Sequence, residues 1–248
     1  MDRLNAGQSC NVIELRQYTL KPGQRDVLIE LFERAFIESQ EDTGMRLIGQ
    51  FRQLDAPDRF VWLRGFASMR ARAESLQRFY DGPVWQEHRT AANATMLDSD
   101  NVLLLKPAHA GCLLQPGTLQ RAPIGSVNRS TAIVVATLYY LAAPASLEFV
   151  EFFDRDIAPL AARAGARIIG ALVTEQGQNT WTRLPIREHE NVFAWLAVFR
   201  DQAAYAAYTE KLAGDPGAHR VFRGALRNQL KTEPEVSQLT PTARSLVR

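Results

Sequence analysis

Cysteine is scarce in this chain of 248 residues, which contains only Cys10 and Cys112. The two residues form no C-x-x-C pair, so neither a zinc cage nor a disulfide framework is indicated. The four histidines show no metal-ligand spacing either. We therefore predict a protein without a metal site or a cofactor, and a reducing compartment, the cytoplasm, suits it best.

Long apolar runs and a strong net charge are also missing. No apolar stretch approaches the ~18 residues that a membrane span requires, and the first ten residues lack the apolar core of a secretory signal. The 29 basic residues nearly balance the 27 acidic ones, which leaves a net charge of +2. So small a charge does not favour a nucleic acid or a membrane surface as partner. We expect a soluble protein with neither.

Motifs that carry catalytic chemistry are missing as well. The sequence has no G-x-S-x-G, no G-x-x-x-x-G-K-[ST] and no G-x-G-x-x-G after a predicted strand. His88 lies three residues after Trp85, so the two side chains can share one face of a helix. His88 is the best single candidate for a catalytic acid or base or a haem ligand, and an ordinary histidine is the alternative interpretation.

What the sequence does contain is an internal duplication. A shift of 121 residues places large or special side chains of the first half on matching ones in the second, and further along the shift becomes 133. The change arises because the segment 175–191 replaces the short segment 54–58, which predicts a longer loop between two strands. The matched pairs include Tyr18/Tyr139, Phe32/Phe153, Gly44/Gly165, Gly49/Gly170, Phe60/Phe193, Trp62/Trp195, Phe66/Phe199 and Pro83/Pro216.

Each copy reads in the order βαββαβ, which is the ferredoxin-like unit. In the first copy the strand VIELRQYTL runs into a KPG turn, and a helical spacing of apolar residues, a hairpin, a second helical region and a last strand follow. We predict an α+β fold with two tandem ferredoxin-like domains, at residues 10–108 and 131–248. A linker rich in Pro and Gly joins them at residues 109–130.

A ferredoxin-like unit has helices on one face of its antiparallel sheet, so its other face needs a cover. The two copies can cover each other and form an α+β barrel of the dimeric type inside one chain. Alternatively, each copy can pair with a second chain, which would make the protein a homodimer or a higher oligomer. The duplication favours the first arrangement.

Several segments of the first copy resemble the NIPSNAP family, whose ferredoxin-like domain belongs to the dimeric α+β barrel group. The resemblance covers residues 12–108 well and the second copy more weakly. The segments that carry it are IELRQYTLKPG (13–23), LIGQF (47–51), FVWL (60–63), RAR (70–72), DGPVW (81–85) and VLLLKP (102–107).

The resemblance implies a fold rather than a reaction. Relatives on this scaffold include cofactor-free monooxygenases of antibiotic biosynthesis, haem-dependent dismutases and peroxidases, and stress-response proteins. Animal NIPSNAP proteins resemble mitochondrial interaction proteins, but this sequence lacks the targeting extension expected of them.

The two copies differ most on one face of their strands. Five polar or charged positions of the first copy are apolar or small in the second, whereas the aromatic positions match. We interpret this as one asymmetric ligand pocket between the two sheets, suited to an anionic or carbonyl-bearing small molecule because guanidinium groups bind planar oxyanions. The ligand-binding candidates are Glu14, Arg16, Tyr18, Arg52, Trp62, Arg64, Trp85, Tyr139 and Trp195.

Two other interpretations are open. The polar face of the first copy can meet water or another chain, with Glu14 and Arg16 paired across the strands. The protein would then be a structural or interaction module that uses this face or the segment 175–191. A cofactor-free oxygenase, or a haem protein with His88 as the ligand, is the more distant alternative.

Overall fold

The first copy forms a four-stranded unit in the order that the pattern predicts. The computed structural model describes residues 10–110, 120–127 and 130–248, so Cys112 and part of the predicted linker lie outside it. Ser68 starts the third helix by accepting a hydrogen bond from Ala71 N, and Gly44 ends the first helical segment at φ +97. The elements are β1 (Val12–Leu20), α1 (Arg25–Leu31), a π-helical turn (Phe32–Phe36), α2 (Ile37–Glu41), β2 (Arg46–Gln53), β3 (Arg59–Phe66), α3 (Met69–Tyr80), α4 (Pro83–Thr95), β4 (Met96–Asp98) and β5 (Val102–Pro107).

The second copy repeats this order, including the π-helical turn at the same place. Asp201 starts its third helix by accepting from Ala204 N, and Gly165 ends its first helical segment at φ +120. Its elements are β6 (Ile133–Tyr140), α5 (Leu147–Phe152), a π-helical turn (Phe153–Ile157), α6 (Ala158–Ala164), β7 (Arg167–Thr174), β8 (Val192–Phe199), α7 (Gln202–Gly214), α8 (Pro216–Arg220), a second π-helical turn (Val221–Leu226), a 3₁₀ turn (Arg227–Gln229) and β9 (Glu235–Pro241).

The two sheets join into one closed barrel. Within the first copy the strands lie in the order β5-β1-β3-β2, and within the second in the order β9-β6-β8-β7. Antiparallel pairing of β2 with β9 and of β5 with β7 connects the two copies. The short β4 pairs only with the end of β1. The barrel therefore closes within one chain, as the duplication favours, and the predicted tandem ferredoxin-like fold is confirmed.

In the part of the chain that the structure describes, the buried apolar side chains form three clusters. The barrel interior is filled by apolar residues from both copies, such as Ile13 and Leu15 of β1 with Val134 and Ala136 of β6. A second cluster lies between the sheet of the first copy and its helices. A third occupies the same place in the second copy. Each sheet thus has two buried faces, one toward the other sheet and one toward its own helices.

The long loop that the sequence predicts at 175–191 lies between β7 and β8 and packs on the helices of the first copy. Trp181 stacks on Tyr80 with ring centres 5.0 Å apart, and Arg183 pairs with Asp81 at 2.7 Å. The loop therefore contacts another part of the same chain. In the described part of the chain, no helix is both long and apolar enough to cross a membrane.

Candidate functional site

The charged face of β1 lies against the helices of its own copy. The pleat of the strand turns Ile13 and Leu15 into the barrel, so the alternate residues Glu14, Arg16 and Tyr18 face the opposite way. The prediction that they line a cavity between the two sheets is therefore wrong, as is the alternative that this face meets water or another chain. Glu14 and Arg16 are 0% exposed.

These side chains form a compact ionic cluster around one carboxylate. Glu14 Oε2 accepts from Arg16 Nη1 at 2.8 Å and from Arg64 Nε at 2.7 Å, and Glu14 Oε1 accepts from Arg72 Nε at 2.6 Å. Arg16 lies on the same strand as Glu14, Arg64 on the neighbouring β3, and Arg72 reaches down from α3. All four side chains are fully buried. We refer to Glu14, Arg16, Arg64 and Arg72 as the ionic cluster.

The ionic cluster keeps Glu14 ionised. Burial by itself would raise the pKa of the Glu14 carboxyl, but the guanidinium groups of Arg64, Arg16 and Arg72 outweigh it and hold the pKa well below its usual range. Burial raises the pKa of the Tyr18 hydroxyl, which accepts a hydrogen bond from Arg16 Nε at 3.0 Å. At neutral pH the Glu14 carboxyl is therefore a carboxylate and the Tyr18 hydroxyl keeps its proton.

Partners outside the cluster hold its arginines in place. Arg64 Nη1 donates to Gln40 Oε1 at 2.9 Å, and Arg72 Nη1 donates to Asn179 Oδ1 at 3.0 Å. Asn179 belongs to the 175–191 loop, so the second copy covers the ionic cluster of the first. Even so, the Nη2 atoms of Arg16, Arg64 and Arg72 have no hydrogen-bond partner among the described residues.

The second copy has a pocket where the first copy has the ionic cluster. Shifts of 121 and 133 residues place Glu14 on Val135, Arg16 on Thr137, Arg64 on Ala197 and Arg72 on Tyr205. These four second-copy residues all line one pocket of about 680 Å³. Because valine, threonine and alanine are smaller than the side chains they replace, the space between the sheet and the helices stays open there. The replacement of three charged side chains by smaller ones thus explains why the second copy has a pocket where the first has none of this size.

Aromatic and aliphatic side chains make up most of the pocket wall. Tyr139 and Trp195, both predicted as pocket walls, lie on the floor formed by β6 and β8. Tyr205 and Tyr208 come from α7, and Phe222 comes from the π-helical turn that follows α8. A pocket of this volume and lining is typical of sites for small organic ligands, which occupy roughly 300–1,000 Å³.

A few polar groups are spread over this apolar lining. Burial raises the pKa of Tyr208 to about 12, and burial also raises the pKa of Tyr139, so both hydroxyls keep their protons at neutral pH. Trp195 Nε1 is buried, and a hydrogen bond between the Trp195 side chain and the Tyr139 hydroxyl offsets part of the effect of burial on the pKa of Tyr139. These groups can orient a ligand through hydrogen bonds but cannot supply it with a counter-ion.

Charged groups lie where the pocket opens. Arg223 and Arg227 both line it and are exposed, and Arg227 forms a salt bridge with Glu233, which also lines it. Arg223 forms no ion pair with any residue that the structure describes. The mouth of the pocket therefore offers a guanidinium group to an acidic part of a ligand, whereas the interior is apolar.

The remaining predicted site residues belong to the first copy. Tyr18, Trp62 and Trp85 line a cavity of only about 30 Å³ between the sheet and the helices. Arg52 pairs with Asp26 at 2.7 Å near the surface. The structure thus brings Tyr139 and Trp195 together in the large pocket. Five other candidates lie on the corresponding face of the other sheet, and Trp85 lies on α4 above that face: the five are Glu14, Arg16, Tyr18, Trp62 and Arg64.

His88 lies on α4, and its side chain is 26% exposed. Its ring packs against Phe36 with centres 6.1 Å apart. Its role as an acid, a base or a haem ligand stays a prediction. Within the described residues, no group of three or more His, Cys, Asp or Glu side chains could hold a metal ion.

Sequence reasoning missed Arg72 and most of the pocket wall. Arg72 lies within the segment RAR, and its counterpart at a shift of 133 is Tyr205. The change from arginine to tyrosine between these matched helix positions was the available signal. Tyr208 and Phe222 correspond to Ser75 and Arg89 at the same shift, but helical spacing alone does not distinguish a pocket wall from a packed core.

The strand order and the closed barrel define the class: two tandem ferredoxin-like units that form an α+β barrel of the dimeric type in one chain. Residues 13–110, which make up most of the first copy, match the NIPSNAP family model. The resemblance expected from the sequence is thereby confirmed. The sequence matches none of the curated proteins with which it was compared.

Solved structures show the same fold over nearly the whole chain. An anthrone oxidase-like protein is 17% identical, with a TM-score of 0.58, and the match covers 96% of this chain and 93% of that one. A provisionally assigned monooxygenase from Lactobacillus acidophilus is 11% identical, with a TM-score of 0.56, and the match covers 96% of this chain and 99% of that one. A similar protein from Fusobacterium nucleatum, also provisionally assigned as a monooxygenase, is 7% identical, with a TM-score of 0.56 and coverage of 94% and 93%. At these identities the likeness is one of fold.

Proposed function

We propose that the protein binds a small organic molecule in the pocket between the second sheet and its helices. The observation that carries this proposal is the opening of about 680 Å³ at the four positions where the first copy has the ionic cluster. A packed core would have larger side chains at the three strand positions Val135, Thr137 and Ala197, as the first copy does. The pocket instead presents an apolar wall with a few polar groups, which is how ligand sites are commonly built.

The lining defines the class of ligand. Tyr139, Trp195, Phe199, Tyr205 and Tyr208 offer ring faces and edges, which favour a flat aromatic or alicyclic ligand. The guanidinium of Arg223 at the mouth favours an acidic or carbonyl group at one end of that ligand. The anionic or carbonyl-bearing molecule expected from the sequence thus has a candidate site, although on the opposite face of the sheet.

Titration with 1-anilinonaphthalene-8-sulfonate tests the proposal, since this dye combines aromatic rings with one acidic group. We expect saturable binding of about one dye per chain, with enhanced fluorescence, as for an apolar pocket of this size. Ala197→Trp, which fills the pocket from the floor, should weaken binding at least about tenfold, or by roughly 1.4 kcal/mol.

Ala206→Trp is the matched control, because Ala206 is exposed on α7 and the added ring lies outside the pocket. This variant should bind the dye as the natural protein does. If Ala197→Trp does not fold, as judged by circular dichroism, Ala197→Leu replaces it. Equal binding by a folded Ala197 variant and the natural chain would refute the proposed pocket and favour an interaction module.

Two further expectations go with this proposal. A cytoplasmic location accords with the buried free thiol of Cys10, whose pKa burial raises to about 11, so that it reacts poorly. Closure of the barrel within one chain already covers both sheets, so the fold itself does not require a second chain. A homodimer or higher oligomer stays a prediction. Light scattering at several concentrations tests the oligomer.

A further inference from the structure

The ionic cluster of the first copy has more positive than negative charge. Three guanidinium cations surround the single carboxylate of Glu14, which leaves a surplus of two positive charges in a fully buried space. Glu14 is the only carboxylate among the fully buried side chains of the described residues. A buried surplus charge is costly unless it is compensated, so this cluster calls for a further anion.

A small cavity adjoins the cluster. It measures about 30 Å³, and Tyr18, Gln40 and Trp62 line it together with aromatic side chains of the helices. The guanidinium carbon of Arg16 lies 5.3 Å from the ring centre of Tyr18 and 5.4 Å from that of Trp62, and that of Arg64 lies 5.1 Å from the Trp62 ring. Two of the cations therefore lie next to rings that line the cavity.

Two hydrogen-bond donors of the cavity wall are uncommitted. Trp62 Nε1 is buried without a hydrogen-bond partner among the described residues. The Tyr18 hydroxyl accepts from Arg16 Nε at 3.0 Å, so its own proton is left to donate. Gln40, by contrast, is fixed at both ends, because its Oε1 accepts from Arg64 and its Nε2 donates to Phe36 O at 2.9 Å.

We propose that this cavity binds a small monovalent anion of about the size of chloride. Trp62 Nε1 and Tyr18 Oη donate hydrogen bonds to it, and Arg16 and Arg64 supply the positive field across the two rings. A volume of about 30 Å³ has room for an ion or molecule of at least the size of one water. The proposal is independent of ligand binding in the second copy.

The matched positions of the second copy support the assignment. Trp195 and Tyr139 occupy the same places as Trp62 and Tyr18, but Thr137 and Ala197 replace the two arginines. Donors of the same type therefore exist in both copies, whereas only the first copy has the positive field. An anion should bind beside Trp62 and not beside Trp195.

Thermal unfolding of the whole chain at fixed ionic strength tests the proposal. Sodium gluconate, whose anion is too large for the cavity, is replaced stepwise by sodium chloride or bromide. A ligand that binds only the folded state raises Tm in a saturable way, and at a hundredfold excess over Kd we expect a rise of about 5–10 °C. Trp62→Phe keeps the ring but removes the donor, so it should abolish most of this rise.

Trp195→Phe is the matched control and should keep the chloride-dependent rise. If Trp62→Phe does not fold, Tyr18→Phe with the control Tyr139→Phe takes its place. Crystals grown in bromide give a second readout, an anomalous peak between Tyr18 Oη and Trp62 Nε1. Equal Tm values in chloride and gluconate together with no bromide peak would overturn the proposal and assign the cavity to water.

Discussion

Glu14 is the side chain on which the packing of the first copy depends most. It is the common acceptor of three buried guanidinium groups, each within 2.8 Å. A buried ion pair contributes little net stability compared with an apolar pair, but removal of one partner leaves an uncompensated charge in the interior. The loss of Glu14 would leave three such charges.

We expect Glu14→Gln to lower the free energy of unfolding by about 3–5 kcal/mol. The amide has a similar shape but cannot neutralise the arginines. Urea unfolding followed by tryptophan fluorescence measures the change. Glu74→Gln is the control, since Glu74 is 56% exposed and pairs with Arg70 at 3.8 Å. It should change the free energy by at most about 1 kcal/mol. Equal effects of the two substitutions would contradict the dependence on the ionic cluster.

The same carboxylate makes stability depend on pH. Because the pKa of Glu14 is lower in the folded than in the unfolded chain, where it is about 4.3, its contribution is fully present above that value. The contribution is lost as the pH falls from about 4.3 toward the folded pKa. The free energy of unfolding of the natural chain should therefore decline more steeply below about pH 4.3 than that of Glu14→Gln. Parallel curves would contradict this prediction.

Among the elements, β1 illustrates what the sequence could and could not predict. The alternation of side chains and the duplication predict the extent of β1 and its place in a βαββαβ unit. They also predict which residues of the second copy match those of β1. Which of its faces enters the barrel does not, because both faces of the strand are buried and alternation alone does not tell them apart. A signal was present: Ile13 and Leu15 have apolar counterparts in Val134 and Ala136, so this face is apolar in both copies and suits a shared interface.

The large pocket could be predicted only in part for a related reason. Tyr139 and Trp195 were identified from the comparison of the two copies, and both line it. The helices that close it were predicted as a helical region, but the side chains that they direct to the sheet depend on the packing of α7 and the π-helical turn after α8. Such packing is a tertiary property that local periodicity does not specify.

An exchange of the ionic cluster should open a second pocket. We expect the variant with Glu14→Val, Arg16→Thr, Arg64→Ala and Arg72→Tyr to bind about two dye molecules per chain instead of about one, as measured by fluorescence titration. Its stability should be lower than that of the natural chain, because the smaller side chains leave a cavity, and a cavity in the core costs free energy in proportion to its volume.

The reciprocal variant is the control for this exchange. Val135→Glu, Thr137→Arg, Ala197→Arg and Tyr205→Arg together should fill the pocket of the second copy and remove dye binding. The first-copy exchange variant can also fold but still bind only about one dye molecule per chain. Such a result would show that other side chains fill the space between the sheet and the helices of the first copy. In that case the charges would not explain the difference between the copies.

At the scale of the whole molecule, the C-terminal segment fastens the two copies together. After β9 the chain crosses to the first copy, where Arg244 donates to a carboxylate oxygen of Glu38 and to the backbone oxygens of Glu33 and Ala122. The Arg244 side chain is only 4% exposed. Arg121 adds a hydrogen bond to Arg244 O at 2.7 Å and pairs with Glu41.

We expect Arg244→Ala to lower the free energy of unfolding by about 1.5–3 kcal/mol, since the lost hydrogen bonds involve a charged donor. Unfolding should stay a single transition, because the barrel strands of both copies form one hydrogen-bonded ring. Arg248→Ala is the control, because the two hydrogen bonds that Arg248 makes with described residues are both long, at 3.4 Å, and it should cost less than about 0.5 kcal/mol. Separate transitions for the two copies on urea or thermal unfolding would contradict this view of the fold.

Closure of the barrel inside one chain also governs how the two copies can specialise. Side chains of the barrel interior meet partners from both copies, so a substitution there affects both at once. The clusters under the helices consist mainly of residues from one copy each, apart from residues such as Trp181 of the 175–191 loop, so most changes in one cluster leave the other untouched. The architecture thus lets the two copies diverge. The first copy can be fully packed while the second keeps an open pocket, and the barrel interior that they share stays intact.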